Sequence, residues 1–328
     1  MTRQFIRFCS LSLGTDDGKR LLMSNLRFTF QVTHGVIQTP KTLRVRVYNL
    51  SDATAKKIKE SADTSITLTA GYDENADEIF IGTIRQALFG RENPTDTYLD
   101  LFAATAEAAD AETMTSQTFA SGWEHTDIQQ QCAKDMAIAN ITAGAFPQIS
   151  GSGARPKVVY GMTRDVCRVT ARSTASVYAI NDTKLDFVQP RELSKVGDSE
   201  SFVVLRPDTG LIGIPIQTPD GVQATCLLNP SIKPKSLVKI YSQNDSGSRT
   251  VIQQEQADLG LGINGGNQIT DANGNVTVAG LSLIGTYRVV YVEHTGDTRG
   301  NPYYSTLYCQ ATDVSTLPST AVTTSTDT

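Results

Sequence analysis

Apolar and polar residues alternate along much of the first third of the chain. Between Leu26 and Val32, the even-numbered residues are apolar and the odd-numbered residues are polar. A period of two residues is typical of a β-strand that buries one face. Further strand-like segments predict a β domain over residues 1–104, and they lie at residues 5–11, 42–50, 66–72, 79–89 and 97–104.

A strand that ends in an Asn corner occurs twice in the chain. Residues 45–51 read Val-Arg-Val-Tyr-Asn-Leu-Ser and lead into a predicted helix over 51–60, with Ser51 as its N-cap. Residues 222–230 repeat the pattern, with an extended segment before Asn229 and Pro230. An alternating strand follows each corner. Two similar β units in one chain favour a structural ring component over an enzyme, because three such chains would place six units around an axis.

The segment from 105 to 190 has a different pattern. Ile128, Cys132 and Met136 share one face of a predicted helix, and residues 126–129 have the spacing of a capping box. A second helix is predicted from Thr163 to Ser173, and a hairpin from 177 to 188. This pattern predicts a small α+β insert domain over 105–190, ending at Pro190.

The chain returns to β patterning over residues 191–313, which form the predicted second β domain. Its strands include 222–228, 237–241, 285–294 and 303–310. Residues 256–280 are rich in Gly and Asn and predict an exposed loop. Residues 314–328 are rich in Ser and Thr without apolar periodicity, which predicts a disordered tail. The predicted fold class is therefore mainly β, with two split β-barrels flanking the insert.

Composition excludes several functional classes. The chain has 328 residues and a formal net charge of −5, so it lacks the basic footprint that duplex binding requires. It has no signal peptide pattern and no apolar run near the ~20 residues that span a bilayer, which predicts no stable membrane insertion. The cysteines form no C-x-x-C pair, which predicts free thiols and assembly in a reducing cytoplasm; they are Cys9, Cys132, Cys167, Cys226 and Cys309.

Two groups of residues look like sites but have simpler explanations. His294, Asp297 and Arg299 lie close in sequence, but loop charges more often pair with each other or orient the backbone. Glu92 and Asp96 flank Pro94 and could be taken for a glycosidase carboxylate pair. No apolar pocket is predicted around them, so a solvated turn is favoured.

Three further candidates are weak. Residues 73–78 are acidic but lack the spacing of an EF-hand, and residues 260–266 are rich in Gly but lack a strand–helix context. Trp123 is expected to pack in the core of the insert. The sequence therefore predicts no catalytic, cofactor-binding or metal site, and no enzyme activity.

The chain resembles the baseplate hub proteins of contractile-tailed bacteriophages. Four stretches carry the resemblance, and both β units contribute to it: residues 45–51, residues 70–72 with 79–84, residues 210–218 leading into 227–230, and residues 287–300. The likeness is weakest over 105–190 and 255–280.

The resemblance implies a homotrimer on the tail axis. Each chain would supply two barrels similar to the tail tube protein, so that three chains build a pseudo-sixfold ring between the sixfold tube and the threefold central spike. It also implies contacts with other baseplate proteins, a lumen for DNA and the tape-measure protein, and location in the virion after assembly in the host bacterial cytoplasm. The 256–280 loop and the 14–18 turn are the predicted contacts with the next ring or the spike.

Two alternatives remain open from the sequence. One is a tail-associated cell-wall hydrolase, which would need a carboxylate pair or a metal cluster in a cleft. The other is a hexameric tail-tube or completion protein.

Overall fold

The structure is a computed structural model that describes residues 6–14, 20–36, 38, 40–60, 65–147, 149, 151–181, 183–189, 202–218, 221–241, 253–254, 268–270, 276–278 and 284–312. Several predictions lie outside these residues: the 15–18 part of the first turn, the end of the insert at Pro190, the glycines of 260–266 and the tail 314–328.

The N-terminal β unit consists of seven strands and one helix. In β3 and β4 every second side chain is buried, which is the predicted alternation. Helix α1 (Asp52–Glu60) begins after Ser51, whose Oγ accepts a hydrogen bond from the Thr54 N–H at 3.3 Å, so the predicted N-cap is confirmed. The strands are β1 (Arg7–Gly14), β2 (Arg20–Leu22), β3 (Phe28–Gly35), β4 (Thr42–Tyr48), β5 (Ser65–Tyr72), β6 (Asp77–Arg91) and β7 (Thr97–Ala104).

The middle segment is the predicted mixture of helices and short strands. Ile128, Cys132 and Met136 are buried on one face of the second helix of this segment. Its strands are β8 (Met114–Phe119), β9 (Thr142–Ala143), β10 (Lys157–Met162), β11 (Val177–Asn181) and β12 (Lys184–Val188). Its helices are α2 (Glu107–Glu112), α3 (His125–Met136) and α4 (Thr163–Ser173), with a 3₁₀ turn at Ala137–Ala139.

The capping box of α3 lies two residues before its predicted position at 126–129. Glu124 is the N-cap residue, and the Asp127 carboxylate accepts a hydrogen bond from the Glu124 N–H at 2.8 Å. An Asp at this position satisfies the N-cap N–H as a Glu or Gln would. The prediction was wrong because it required a hydroxyl residue at the cap.

The C-terminal β unit contains the remaining strands and a 3₁₀ turn at Pro207–Thr209. Within the predicted 256–280 loop, the described residues form two short strands that pair antiparallel, which the prediction of an exposed loop did not include. Three-residue strands are too short to stand out in a hydrophobic pattern. The strands are β13 (Phe202–Leu205), β14 (Leu211–Thr218), β15 (Gly221–Leu227), β16 (Leu237–Tyr241), β17 (Gln253–Gln254), β18 (Gln268–Thr270), β19 (Val276–Val278), β20 (Ile284–Asp297) and β21 (Tyr303–Ala311).

The two β units share one strand connectivity. In the N-terminal unit the neighbouring strands run β3-β4-β7-β6-β5-β1, and in the C-terminal unit they run β14-β15-β21-β20-β16-β13. The strands at matching places in these two rows also follow one another in the same order along the chain, and this holds for all six pairs. One difference is that β13 pairs with β16 in parallel, whereas β1 pairs with β5 antiparallel.

The registers of the two units also agree. The β4·β7 ladder runs from Thr42↔Ala104 to Tyr48↔Tyr98, and the β15·β21 ladder runs from Gly221↔Gln310 to Leu227↔Tyr304, seven consecutive pairs in each case. The long strands β6 and β20 each carry a one-residue bulge at the same step of the ladder, at Arg85 and Val290. This shared bulge aligns the two units residue by residue, with Arg85 equivalent to Val290.

A strand pairing joins the two units into one sheet. The second half of β20 pairs antiparallel with β3, from Tyr291↔Gly35 to Asp297↔Thr29. In this ladder the buried His294 lies opposite the buried Val32, whereas the half-buried Glu293 lies opposite Thr33. Both units therefore place their cores on the same face of the common sheet.

Three hydrophobic cores fill the β units and the insert. The first belongs mainly to the N-terminal unit and also includes Leu228 and Tyr303 from the C-terminal unit. The second lies between the C-terminal strands, and the third lies within the insert around α3 and α4. The fold is therefore mainly β, with two split β-barrels and an α+β insert, as predicted. The boundaries at 104/105 and 190/191 stay predictions.

Tyr303 of β21 completes the N-terminal core. Its ring is fully buried and lies edge-on to Phe30 and Tyr72, with centroid distances of 6.2 and 5.7 Å. Its hydroxyl accepts a hydrogen bond from the Gly71 N–H at 2.8 Å and lies 2.7 Å from the Phe8 carbonyl oxygen, to which it can donate. The side chain thus ties β21 to β1 and β5.

We expect Tyr303→Phe to destabilise the protein by about 1–3 kcal/mol, because the substitution leaves buried backbone groups without their partner. Urea unfolding followed by tryptophan fluorescence and circular dichroism would measure the change. Tyr308→Phe is the matched control, since Tyr308 is 40% exposed, and we expect it to stay within about 0.5 kcal/mol of the parent. Equal effects of the two substitutions would contradict the assigned role of the Tyr303 hydroxyl.

Candidate functional site: strand edges and the polar face of the sheet

His294, Asp297 and Arg299 do not form a common site. Residues three apart on a strand point to opposite faces, and His294 faces the core, where its Nδ1 lies 2.8 Å from Ser305 Oγ. Asp297 instead forms an ion pair with Arg27 at 2.9 Å and accepts a hydrogen bond from the Arg299 N–H at 2.9 Å. The simpler explanation, in which these charges organise a loop, agrees with this geometry.

The buried His294–Ser305 pair has the residue types of a nucleophilic dyad. Burial lowers the pKa of His294 to about 3, with smaller contributions from Lys41 and His34, so its imidazole is neutral at pH 7. Ser305 is 0% exposed and His294 is 5% exposed. A polymeric substrate cannot reach such a pair, and the hydrogen bond therefore satisfies two polar groups in the core.

Glu92 and Asp96 lie in the turn between β6 and β7. Asp96 accepts hydrogen bonds from the side-chain amides of Asn49 at 3.0 Å and Asn93 at 2.7 Å, and these bonds lower its pKa. A glycosidase general acid needs a raised pKa. The electrostatics of this turn thus work against acid catalysis by Asp96.

The other candidates are also placed by the structure. Among the described residues, no group of three or more His, Cys, Asp or Glu side chains is arranged to hold a metal ion, and this includes residues 73–78. Trp123 packs half-buried against the insert core, and its indole N–H donates to the Arg155 carbonyl at 2.9 Å. The five cysteines are free thiols. No helix in the described part of the chain is long and apolar enough to cross a membrane.

In the part of the chain that the structure describes, several strands of the common sheet have an outer edge that is open or pairs over only two residues; besides the terminal strands β2 and β13, they include β6 and β14. Within the described residues, the 84–91 half of β6 pairs with β7 on one side and with no strand on the other. At the opposite end of the sheet, β14 pairs with β15, and its outer edge carries only the two-residue β17. Both edges expose apolar side chains: Leu88 is 46%, Phe89 is 49% and Ile214 is 48% exposed. Unpaired edges of this kind favour pairing with another chain.

The sheet face opposite the cores is polar and carries stacked arginines. Arg46 forms a bidentate ion pair with the nearly buried Asp100, at 2.7 and 2.8 Å, and lies 4.0 Å above the Tyr98 ring. Arg44 lies 5.3 Å above the Phe102 ring. These stacks are typical of cation–π pairs. The stacks and the ion pair thus engage both guanidinium groups within the polar face of the sheet.

The insert is attached to both β units by one polar network. Lys235 of the C-terminal unit donates to Asp186 at 2.6 Å, and Asn181 donates to the same carboxylate at 2.9 Å. The Asn181 side-chain oxygen lies 2.9 Å from Nε2 of His34 in β3. Burial acts to raise the pKa of Asp186, but the hydrogen bonds from Lys235, Asn181 and the Ala145 N–H outweigh it, so the pKa is lowered.

Solved structures with a similar fold include proteins of phage tails. The 43 kDa tail protein of prophage MuSo2 from Shewanella oneidensis superimposes with a TM-score of 0.55 at 8% identity, covering 95% of this chain and 99% of that one. A tail protein from Neisseria meningitidis MC58 gives 0.52 at 9% identity, covering 92% and 96%. The E. coli c3393 protein, a type VI secretion component described as similar to T4 tail proteins gp27 and gp5, gives 0.51 at 9%, covering 88% and 74%.

The family follows from the sequence itself. The family model described as Baseplate hub gp41 matches residues 16–249, which is most of the chain, and the chain therefore belongs to this family. No curated protein matches the sequence. The resemblance to phage baseplate hubs and the tail, baseplate and hub assignments are thus confirmed.

Two features of the structure were not predicted from the sequence. The strand over 79–89 was predicted without its open edge, whose signal is the adjacent pair Leu88–Phe89, which breaks the alternation of apolar and polar residues. The Asp186–Lys235 pair left no signal, because these residues lie 49 positions apart in different predicted domains.

The lowered pKa of Asp186 predicts an acid-dependent contribution to stability. A carboxyl with a folded pKa below its unfolded value of about 3.9 stabilises the fold above that value and loses this effect as the pH falls through the folded pKa. We expect Asp186→Asn to destabilise the protein at pH 7 and to differ less from the parent near pH 3. Urea midpoints at several pH values would test this, with the exposed Asp165→Asn as control. A difference that stays constant with pH would contradict the prediction.

Proposed function

We propose that the protein is a non-enzymatic baseplate hub that forms a homotrimeric, pseudo-sixfold ring. The ring would join the sixfold tail tube to the threefold central spike, contact other baseplate proteins, and assemble in the host bacterial cytoplasm before entering the virion. The observation that carries this proposal is the shared connectivity and register of the two β units. Membership of the hub family and the fold of phage-tail proteins support it.

The two similar β units in each chain would allow a trimer to match both the sixfold symmetry of the tail tube and the threefold symmetry of the spike. Three chains would present six barrels of one topology to the tube, and the same three chains would present three identical surfaces to the spike. The insert and the unlike loops of the two units would mark the threefold repeat.

The polar face of the sheet is suited to line the channel of such a ring. Its arginines are paired or stacked, and the chain as a whole carries a net charge of −5. Strong binding of DNA depends on unpaired cations that displace counterions from phosphates. A wall with few free cations would let DNA and the tape-measure protein pass without sticking.

No observation favours the two alternatives. A cell-wall hydrolase would require a reactive carboxylate or metal, whereas Asp96 is held in its ionised form and His294 is buried. A hexamer of this chain would bring twelve barrels to a ring that needs six. The duplicated units therefore favour three chains.

We expect the purified chain to form a complex with the mass of three subunits, because each chain carries two of the six barrels. Native mass spectrometry or sedimentation equilibrium at micromolar concentration would measure it. A monomer at all concentrations, or a hexamer, would contradict the proposed ring. In a zymogram on peptidoglycan we expect no clearing, and clearing by purified protein would support the hydrolase instead.

A further inference from the structure

We propose that the ring closes by a defined strand pairing: the outer edge of β6 in one copy pairs antiparallel with β14 of the next copy. Leu88 lies opposite Thr218, and Gly90 lies opposite Ile216. This pairing rests on the proposed trimer and names the surfaces through which it forms. The template is the β20·β3 pairing, because it already joins one unit to the other within each chain.

The equivalence of the two units assigns the partner edges. In the shared connectivity, β6 occupies the place of β20, and β14 occupies the place of β3. Within one chain, β20 of the C-terminal unit pairs with β3 of the N-terminal unit. The same junction repeated between chains joins β6 to β14. Within the described residues, the 84–91 half of β6 has an open outer edge, and the outer edge of β14 pairs only with the two-residue β17.

The registers of the known ladders fix which residues meet. The shared bulge makes Leu88 equivalent to Glu293 and Gly90 equivalent to Thr295. The β3·β4 and β14·β15 ladders make Thr33 equivalent to Thr218 and Gln31 equivalent to Ile216. At the observed junction the facing pairs are Glu293↔Thr33 and Thr295↔Gln31. Replacing each residue of these pairs by its equivalent gives the proposed pairs Leu88↔Thr218 and Gly90↔Ile216.

The junction within the chain has polar side chains, whereas two of the equivalent positions at the proposed junction between chains have apolar ones. At the junction within the chain, the Gln31 amide donates to the Glu293 carboxylate at 2.5 Å, and Arg27 pairs with Asp297. At the open edges the positions of Gln31 and Glu293 are taken by Ile216 and Leu88. A polar junction is sufficient where the chain is continuous. An interface between separate chains gains from apolar surface that leaves water on contact.

One local contact must change when the pairing forms. In the single chain, Gln253 and Gln254 of β17 pair in parallel with Ile216 and Gln217. The neighbouring β6 would take over this edge, and an antiparallel ladder of several residues replaces a parallel one of two. The bulge of β14 between Ile212 and Ile216 would face the turn that follows Arg91.

Disulfide cross-linking tests the register directly. At the observed junction, the Val36 N–H bonds to the Val290 carbonyl and the Thr298 N–H bonds to the Phe28 carbonyl, so Glu293 and Thr33 occupy a non-hydrogen-bonded pair. Cα atoms of such a pair lie about 4.5 Å apart, within the range of a disulfide. Leu88→Cys combined with Thr218→Cys should therefore link neighbouring copies into a covalent trimer on mild oxidation, visible on a non-reducing gel.

Two double variants calibrate the experiment. Thr33→Cys with Glu293→Cys should cross-link within one chain, which changes the mobility of the monomer band and shows that oxidation is effective. Leu88→Cys with Gln217→Cys places the second thiol on the opposite face of β14, so it should give little covalent trimer. The parent chain reports any background from its five cysteines.

The outcomes separate this proposal from the trimer itself. A covalent trimer in the Leu88/Thr218 variant, with little in the Leu88/Gln217 variant, supports the pairing. A complex of trimer mass that gives no cross-link, or equal cross-links in both variants, overturns the pairing and leaves the trimer standing. A complex that lacks trimer mass before oxidation overturns the proposed function.

Discussion

The antiparallel pairing of β20 with β3 is the constraint on which the rest of the molecule depends. It satisfies the backbone donors and acceptors along two edges that would otherwise be open, and it fixes the two β units in one register. Because a shift of one residue would exchange the two faces of a strand, this register also keeps both cores on one side and the polar surface on the other. Once this junction has formed, the equivalent edges of β6 and β14 have no partner strand from the other unit among the described residues.

Local patterns in the sequence were sufficient for the elements but not for their arrangement. The helix that follows Ser51 and the strand at Thr42–Tyr48 were predicted because helix caps and alternation leave their signal within a few residues. The repeated Asn corner suggested the duplication, but the observed register makes Asn49 equivalent to Leu228 and not to Asn229. The β20·β3 pairing joins residues more than 250 positions apart, and Tyr303 packs in the core of the other unit. Neither contact could be predicted from neighbouring residues, because the hydrophobic pattern indicates that a residue is buried but does not indicate which distant residues it contacts.

The two β units have diverged where their surroundings differ. The N-terminal unit has helix α1 after its corner, whereas the C-terminal unit has tight turns that bring Lys235 to the insert with a left-handed backbone, φ 75°. That backbone is held by the Lys235 N–H, which donates to Val289 at 2.8 Å. Strained residues persist only where neighbouring contacts hold them. Here those contacts orient an ammonium group towards Asp186, so the strain serves the attachment of the insert.

Covalent fusion of the two barrels also controls the parity of any closed assembly. Free single-barrel subunits could close into circles of five, six or seven members, and small changes in the angle between neighbours would decide among them. Linked pairs can add only an even number of barrels, so the circles nearest in size to six are those of four and eight. A ring of four or eight barrels would need a sheet curvature very different from that of a ring of six, and a stiff β-sheet resists such a change. In the proposed ring, the covalent link between the two barrels of each chain would therefore restrict the number of barrels that the ring can contain.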